Sequence, residues 1–209
     1  FLHTAYNLID TFWVGRLGAY AIAAVTISFP VVFFTMCIAI GIGLGGSVLM
    51  SHAVGKAFKT QKRRDKERVN LILSQTFILI LIISFLVSII GFFMAPTIVS
   101  LLKPEKLVFE NAVVYMRTIF IGIFFMFIYF IFQAALRALG NTKTPMKFVL
   151  VSVIMNLILD PLMIFGIGPF PKLGVFGAAL ATVISRALIS IIALYHLTKN
   201  TYGIKLRWN

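Results

Sequence analysis

Runs of about twenty apolar residues recur along the whole of this 209-residue chain, and no other feature restricts its fold as much. A water-soluble core could not absorb them, because too little polar sequence remains to cover them. Apolar residues make up 60% of the chain, against roughly 45–50% in ordinary globular proteins, and the mean hydropathy is +1.02. Read as helices, the runs fall at about residues 1–15, 20–55, 70–94, 107–137, 145–166 and 174–198. The expected fold is therefore all-α and integral to the membrane, a six transmembrane helix bundle. At 1.5 Å per residue the first helix reaches only about 22 Å across a hydrocarbon core of about 30 Å. Its opening turns are expected upstream of Phe1, where the apolar pattern is already running and no cleavable signal peptide is evident.

A net charge of +13 would suit nucleic acid, since basic patches bind phosphates, but the positions of the charges argue against it. Lys56, Lys59, Lys62, Arg63, Arg64, Lys66 and Arg68 form one run between two apolar segments, as a polar loop flanking a membrane would. Together with Arg137, Lys143, Lys147, Lys199, Lys205 and Arg207 they put thirteen cations on one side of the helices. The opposite side holds Arg16, Lys103, Lys106, Arg117 and Lys172, and Arg186 lies within the last helix. By the positive-inside rule the richer side is cytoplasmic. Both chain ends are then expected inside, in a bacterial or archaeal cytoplasmic membrane.

Breakers mark the boundaries. Ala95-Pro96, Gly140-Asn141 with Pro145, and Gly166 to Pro171 with Gly174 read as turns or loops. Pro30 and Pro161 lie inside helices, where each removes one backbone donor. The single cysteine, Cys37, excludes an internal disulfide and is expected to be a buried apolar side chain. His3, His52 and His196 show no ligand-like spacing, so no metal is assigned to them, and no cofactor is implied. Gly41-Ile42-Gly43-Leu44-Gly45-Gly46 matches a dinucleotide fingerprint in form only, because that motif needs a preceding strand. The 21 Phe and eight Met read as packing or lipid-facing residues.

Against this apolar background Asp10 and Asp160 stand out. A carboxylate in a bilayer is costly unless it faces protein or water and has a partner, so each is a candidate functional residue. Tyr6 and Asp10 are i and i+4 on one helix face, and the phenol can reach the carboxylate. Alternatively Asp10 ends the helix near the interface, with Tyr6 and Trp13 as belt aromatics. Asn156 and Asp160 repeat the i, i+4 spacing, and Pro161 leaves the Leu157 carbonyl without a helical donor. The alternative there is interhelical glue. Small residues in Gly177-Ala178-Ala179 permit close helix approach. Thr182 either offers a hydroxyl oxygen or bonds its own i−4 carbonyl. Arg186 is a counter-ion for an acid or pairs with backbone carbonyls, and Gln133 either lines a cavity or bonds a neighbour.

Four segments, Tyr6-Asn7-Leu8-Ile9-Asp10-Thr11-Phe12-Trp13-Val14-Gly15, Leu136-Arg137-Ala138-Leu139-Gly140-Asn141-Thr142-Lys143-Thr144-Pro145, Asn156-Leu157-Ile158-Leu159-Asp160-Pro161 and Gly177-Ala178-Ala179-Leu180-Ala181-Thr182, resemble the N-terminal half of the multidrug and toxic compound extrusion (MATE) transporters. That resemblance implies one lobe of a twelve-helix, pseudo-symmetric antiporter exporting organic cations or drugs in exchange for H⁺ or Na⁺. It assigns residues 1–198 to the first lobe and 199–209 to the start of a cytoplasmic linker toward a second six-helix lobe. It also implies a cation site, for a proton or Na⁺, built from Asp10, Asn156, Asp160 and Thr182, with Tyr6, Gln133 and Arg186 as cavity or supporting residues. The expected partners are a cationic small molecule, membrane lipids and the second lobe, and no nucleic acid. The first helix lacks the part where many members bend.

The expected pocket lies between the first, fifth and sixth helices, in the outer half of the lobe. Burial and mutual repulsion oppose two bare negative charges there, which favours taking up a proton or Na⁺. Three other readings compete: a flippase of lipid-linked oligosaccharides from the same superfamily, an inert half-transporter, and an intramembrane aspartyl protease. The last expects a Gly-x-Gly-Asp element that is absent here, and an enzyme is not expected.

Overall fold

A computed structural model describes residues 2–60 and 63–206. Six helices follow one another: α1 (Leu2–Gly15), α2 (Ala19–Thr60), α3 (Arg63–Ser100), α4 (Lys106–Ala138), α5 (Lys143–Phe165) and α6 (Val175–Thr198). Among the described residues there is no strand. Five of the helices, α2 to α6, are long and apolar enough to cross a membrane. The fourteen residues of α1 reach about 21 Å at 1.5 Å per residue.

The organising element is α4. Most of it is buried, with Val114, Ile121 and Phe124 left on one exposed strip, and α2, α3 and α6 pack about it. Phe127, Phe132, Met116 and Ile131 on α4 are fully buried. Around this axis α2 pairs with α3, α5 with α6, and α1 lies mainly on α5. The outer faces of α2 and α3 carry Phe33, Phe34, Phe85 and Phe93, all exposed on the lobe surface. Lipid makes that exterior as apolar as the interior. The same reasoning explains Cys37, expected inside and found exposed on α2.

Two helix ends differ from the sequence reading. The basic stretch taken as a loop is helical, α2 continuing to Thr60 and α3 beginning at Arg63. Lys, Arg and Glu are good helix formers, so an apolar run measures the membrane-embedded part of a helix and not its whole length. Lys62, within that stretch, and Arg207 lie outside the described residues. At the other end of α3, Ala95-Pro96 does not make a turn, and the helix runs on to Ser100 with Pro96 inside it. Proline leaves the carbonyl four residues earlier without its donor. Here that carbonyl, Phe92 O, accepts from Arg117 Nε at 3.3 Å, and the guanidinium also lies 5.0 Å from the Phe92 ring centroid.

The α5–α6 connection positions the site. α5 ends on Gly166, whose φ of 73° suits glycine. The loop then returns, Leu173 N donating to Met163 O at 3.0 Å and Gly174 N to Ile164 O at 3.1 Å. Gly177 follows on α6 with its Cα so near α5 that an added Cβ would stand 2.5 Å from Met163 O. Gly177→Ala is expected to force the two helices apart and to cost about 1–3 kcal/mol, the usual range for overpacking. Thermal unfolding of the full-length protein in detergent measures this, and an unchanged midpoint would show that the contact is not tight.

After α6 the chain does not leave the bundle at once. Ile204 and Leu206 are buried, Lys205 N donates to Asn70 Oδ1 at 2.9 Å, and Tyr202 lies against Phe132 and His196. The stretch read as the start of a linker therefore runs over α3, α4 and α6 through residue 206.

Candidate functional site

Asp10 is 6% exposed, and Asn156 and Asp160 are fully buried. The i, i+4 spacing on α5 does what the sequence suggested: Asn156 Nδ2 donates to Asp160 Oδ1 at 2.9 Å. On α1 the equivalent expectation is replaced. Tyr6 points its hydroxyl at the carbonyl oxygen of Thr182, 3.4 Å away on α6. The phenol that donates to Asp10 is Tyr115 of α4, at 3.3 Å from Oδ2. The reason is reach: with α6 against α1, the Tyr6 ring extends across the helix pair instead of back along its own face.

What remains is a set of unpartnered buried oxygens. Asp10 Oδ1, Asn156 Oδ1, Asp160 Oδ2 and Thr182 Oγ1 all lack a hydrogen-bond partner among the described residues. Thr182 does not turn its hydroxyl back on its own helix, so that oxygen stays available. The helices that carry the two acids, α1 and α5, pack against each other. A buried acceptor without a donor costs about 1–3 kcal/mol, more if charged, so four together call for something that donates or coordinates. The set contains oxygen only, which suits a hard cation or a proton rather than a soft transition metal. No cluster of three His, Cys, Asp or Glu occurs among the described residues.

Asp10, Thr182, Tyr6, Tyr115 and Arg186 border a cavity of about 60 Å³, room for several water molecules at about 10–15 Å³ each. Its walls come from α1, α2, α4 and α6, with Val25, Phe29, Val32 and Met36 contributed by α2. The pocket expected between the first, fifth and sixth helices is thus differently walled. Asn156 and Asp160, on α5, do not line it. Gln133, on α4, is half-buried and borders neither this cavity nor a second one that also touches Arg186 and Tyr6. Among the described residues Arg186 makes no ion pair and no hydrogen bond to a carbonyl. Its guanidinium lies 4.9 Å from the Tyr6 ring centroid, and Nη1 meets Met126 Sδ at 3.0 Å. His196 sits among the rings of Phe148, Tyr195 and Tyr202, and His52 is exposed; the side chain of His3 lies outside the described residues.

Sequence reasoning missed Tyr115, which is 105 residues from Asp10. The available signal was a phenol in an otherwise apolar stretch of α4, next to Arg117 and near the same end of the bundle as Asp10. Tyr115→Phe removes the single donor that Asp10 has among the described residues and keeps the ring's bulk. It is expected to lower stability by about 1 kcal/mol, the scale of one hydrogen bond. Thermal unfolding of the full-length protein in detergent reads it, and an unchanged midpoint would show that the bond holds nothing in place.

Apolar helices closing over two buried carboxylates define a polytopic membrane protein with a polar site inside the bundle. The MatE family model matches residues 1–162, and the chain belongs to that family. Among relatives, the probable multidrug resistance protein YoeA of Bacillus subtilis (strain 168) is 32% identical over 205 residues, covering 98% of this chain and 43% of its own length. A FAD transporter of Shewanella oneidensis is 38% identical over 180 residues, 86% of this chain and 38% of its own. A solved MOP superfamily transporter from Pyrococcus furiosus, described as having a binding pocket of reversed polarity that suggests a different function, superposes with a TM-score of 0.88 at 28% identity. The match covers 99% of this chain and 43% of that one. The chain thus spans about two fifths of the relatives it matches, the share of one lobe.

Proposed function

We propose that this chain is the first lobe of a secondary antiporter that exports organic cations or drugs in exchange for H⁺ or Na⁺. The observation that carries the reading is four unpartnered buried oxygens, on Asp10, Asn156, Asp160 and Thr182, with Asp10 and Thr182 lining a cavity. A bare carboxylate pair in low dielectric is unfavourable, and a proton or Na⁺ relieves it. A cationic cargo competes for the same negative field, and that competition is the coupling. An ion biases the conformational equilibrium only if it binds one state better than the other, so the pocket must change shape between inward- and outward-facing states. The excess of Lys and Arg on one side supports cytoplasmic chain ends, and the multidrug relatives support the cargo class. The relative named as a FAD transporter favours a second reading, in which the cargo is a nucleotide.

Full-length protein in liposomes tests the proposal with ethidium as cargo. Uptake is expected only when an opposing H⁺ or Na⁺ gradient is imposed, and the matching ionophore should abolish it. Ethidium movement indifferent to both gradients would refute ion coupling.

A further inference from the structure

On α3 the residues Leu71, Gln75, Ile78, Ile82 and Phe85 are exposed in steps of three and four, so they form one stripe along the helix. Arg64 and Arg68 continue that stripe backward from Leu71, and both are exposed. Within α3 the exposed apolar side chains run from Leu71 to Met94, about 35 Å at 1.5 Å per residue. That length fills a hydrocarbon core of about 30 Å with modest tilt. Arg68 then stands about 5 Å outside the core and Arg64 about 10 Å, the one in the headgroup layer and the other at its outer edge, from which a long arginine stem reaches back. Helix α2 brings two further groups to the same level. Gly46 lies so close to α3 that an added Cβ would meet Thr76, and this contact sets the register of the two helices, which run in opposite directions across a short turn. Twelve residues further along α2 and twelve back along α3, Phe58 stands level with Arg64. Phe58 is 87% exposed, and Lys59 beside it is exposed as well.

We propose that the α2–α3 turn is a docking surface for an anionic phospholipid, with Arg64 and Arg68 on the headgroup phosphodiester and Lys59 and Phe58 beside it. Charge complementarity selects the partner. From Lys56 to Arg68 seven cations outnumber the two carboxylates, Asp65 and Glu67, and basic clusters of this size next to a membrane span hold anionic lipids. A zwitterionic lipid carries its own amine and gains less from them. Arg64 and Arg68 are i and i+4, neighbours on one face, and a guanidinium can grip phosphate oxygens through two parallel hydrogen bonds. Phe58 argues for a lipid over a free anion, because an inorganic phosphate would leave that ring in water whereas a headgroup layer covers it. The other end of α3 offers no such surface: Lys103 and Lys106 share it with Glu105 and Glu110, and all four are exposed. The proposal needs only that these helices span a membrane, so it stands or falls apart from the exporter reading.

Native mass spectrometry of the full-length protein provides the test, the protein being released from micelles doped equally with phosphatidylglycerol and phosphatidylcholine of the same acyl chains. The readout is the ratio of the two lipids retained. The wild-type protein is expected to favour phosphatidylglycerol by about tenfold or more, each nearby Lys or Arg being worth about fivefold. Arg64→Gln combined with Arg68→Gln should lower that ratio by at least about fivefold. Lys103→Gln combined with Lys106→Gln removes the same charge from the opposite end of α3 and should leave the ratio unchanged. All four side chains are exposed, so neither pair of substitutions is expected to disturb the fold. Excess inorganic phosphate, with ionic strength matched by chloride, should also leave the wild-type ratio unchanged. A wild-type ratio near one, an undiminished ratio in the arginine double variant, or an equal loss in both double variants would overturn the docking surface. Displacement of phosphatidylglycerol by inorganic phosphate would make the ligand a free anion and overturn the lipid.

Discussion

Asp10→Asn and Asp160→Asn, each made in the full-length protein, are expected to reduce ion-driven ethidium export by at least about tenfold and toward a hundredfold, since changing even a residue that only supports a metal ligand costs about 10–100-fold. The amide keeps the size of the side chain and removes the charge, so the effect reports on the ion and not on packing. At Asp160 there is a second consequence. Asn156 Nδ2 now donates to Asp160 Oδ1, and an amide at 160 presents either an acceptor that holds no ion or a donor opposed to a donor. At Asp10 the Tyr115 hydroxyl can still donate to an amide oxygen, so the fold is expected to survive there better than at Asp160. Glu110→Gln, on the exposed surface of α4, is the matched control and should export like the wild type. Wild-type export by both aspartate variants would remove the oxygen cluster from the mechanism.

How much of this was legible in the sequence depended on whether a contact is local. Asn156 and Asp160 could be paired on paper because the helical repeat alone puts i and i+4 side by side. The same rule applied to Tyr6 and Asp10 failed, because Tyr6 has a partner on α6 that no period along α1 reveals. Tyr115 was illegible for the same reason, its partner being on another helix, brought within reach of its hydroxyl only by the folded bundle. The six helices were legible as apolar runs, yet their ends at Thr60 and Ser100 were not. Membrane burial sets the apolar length, whereas basic residues and a rescued proline carbonyl set the helical length. Cys37 was misplaced by a rule learned from water-soluble cores, which does not hold where the solvent is hydrocarbon.

The same change of solvent alters what a buried phenylalanine contributes, and Phe127 and Phe85 separate the two cases. In water, Phe→Ala in a core costs about 3–5 kcal/mol, the sum of a transfer term and a cavity term. In a bilayer the transfer term largely vanishes, because an unpacked ring would face lipid as apolar as its native neighbours. The cavity term survives. Removing the ring of Phe127, fully buried on α4, the helix about which α2, α3 and α6 pack, empties roughly 100 Å³, which at about 24 cal/mol per Å³ gives about 2.4 kcal/mol. Phe85→Ala on α3, 62% exposed, opens a space that lipid fills, and is expected to cost less than about 0.5 kcal/mol. Thermal or denaturant unfolding of both variants of the full-length protein, in lipid nanodiscs rather than in detergent alone, measures the difference. Equal losses would mean that α4 is not the axis about which the bundle packs, and that the oxygen cluster is held in place by something other than the closure of α2, α3 and α6 on it.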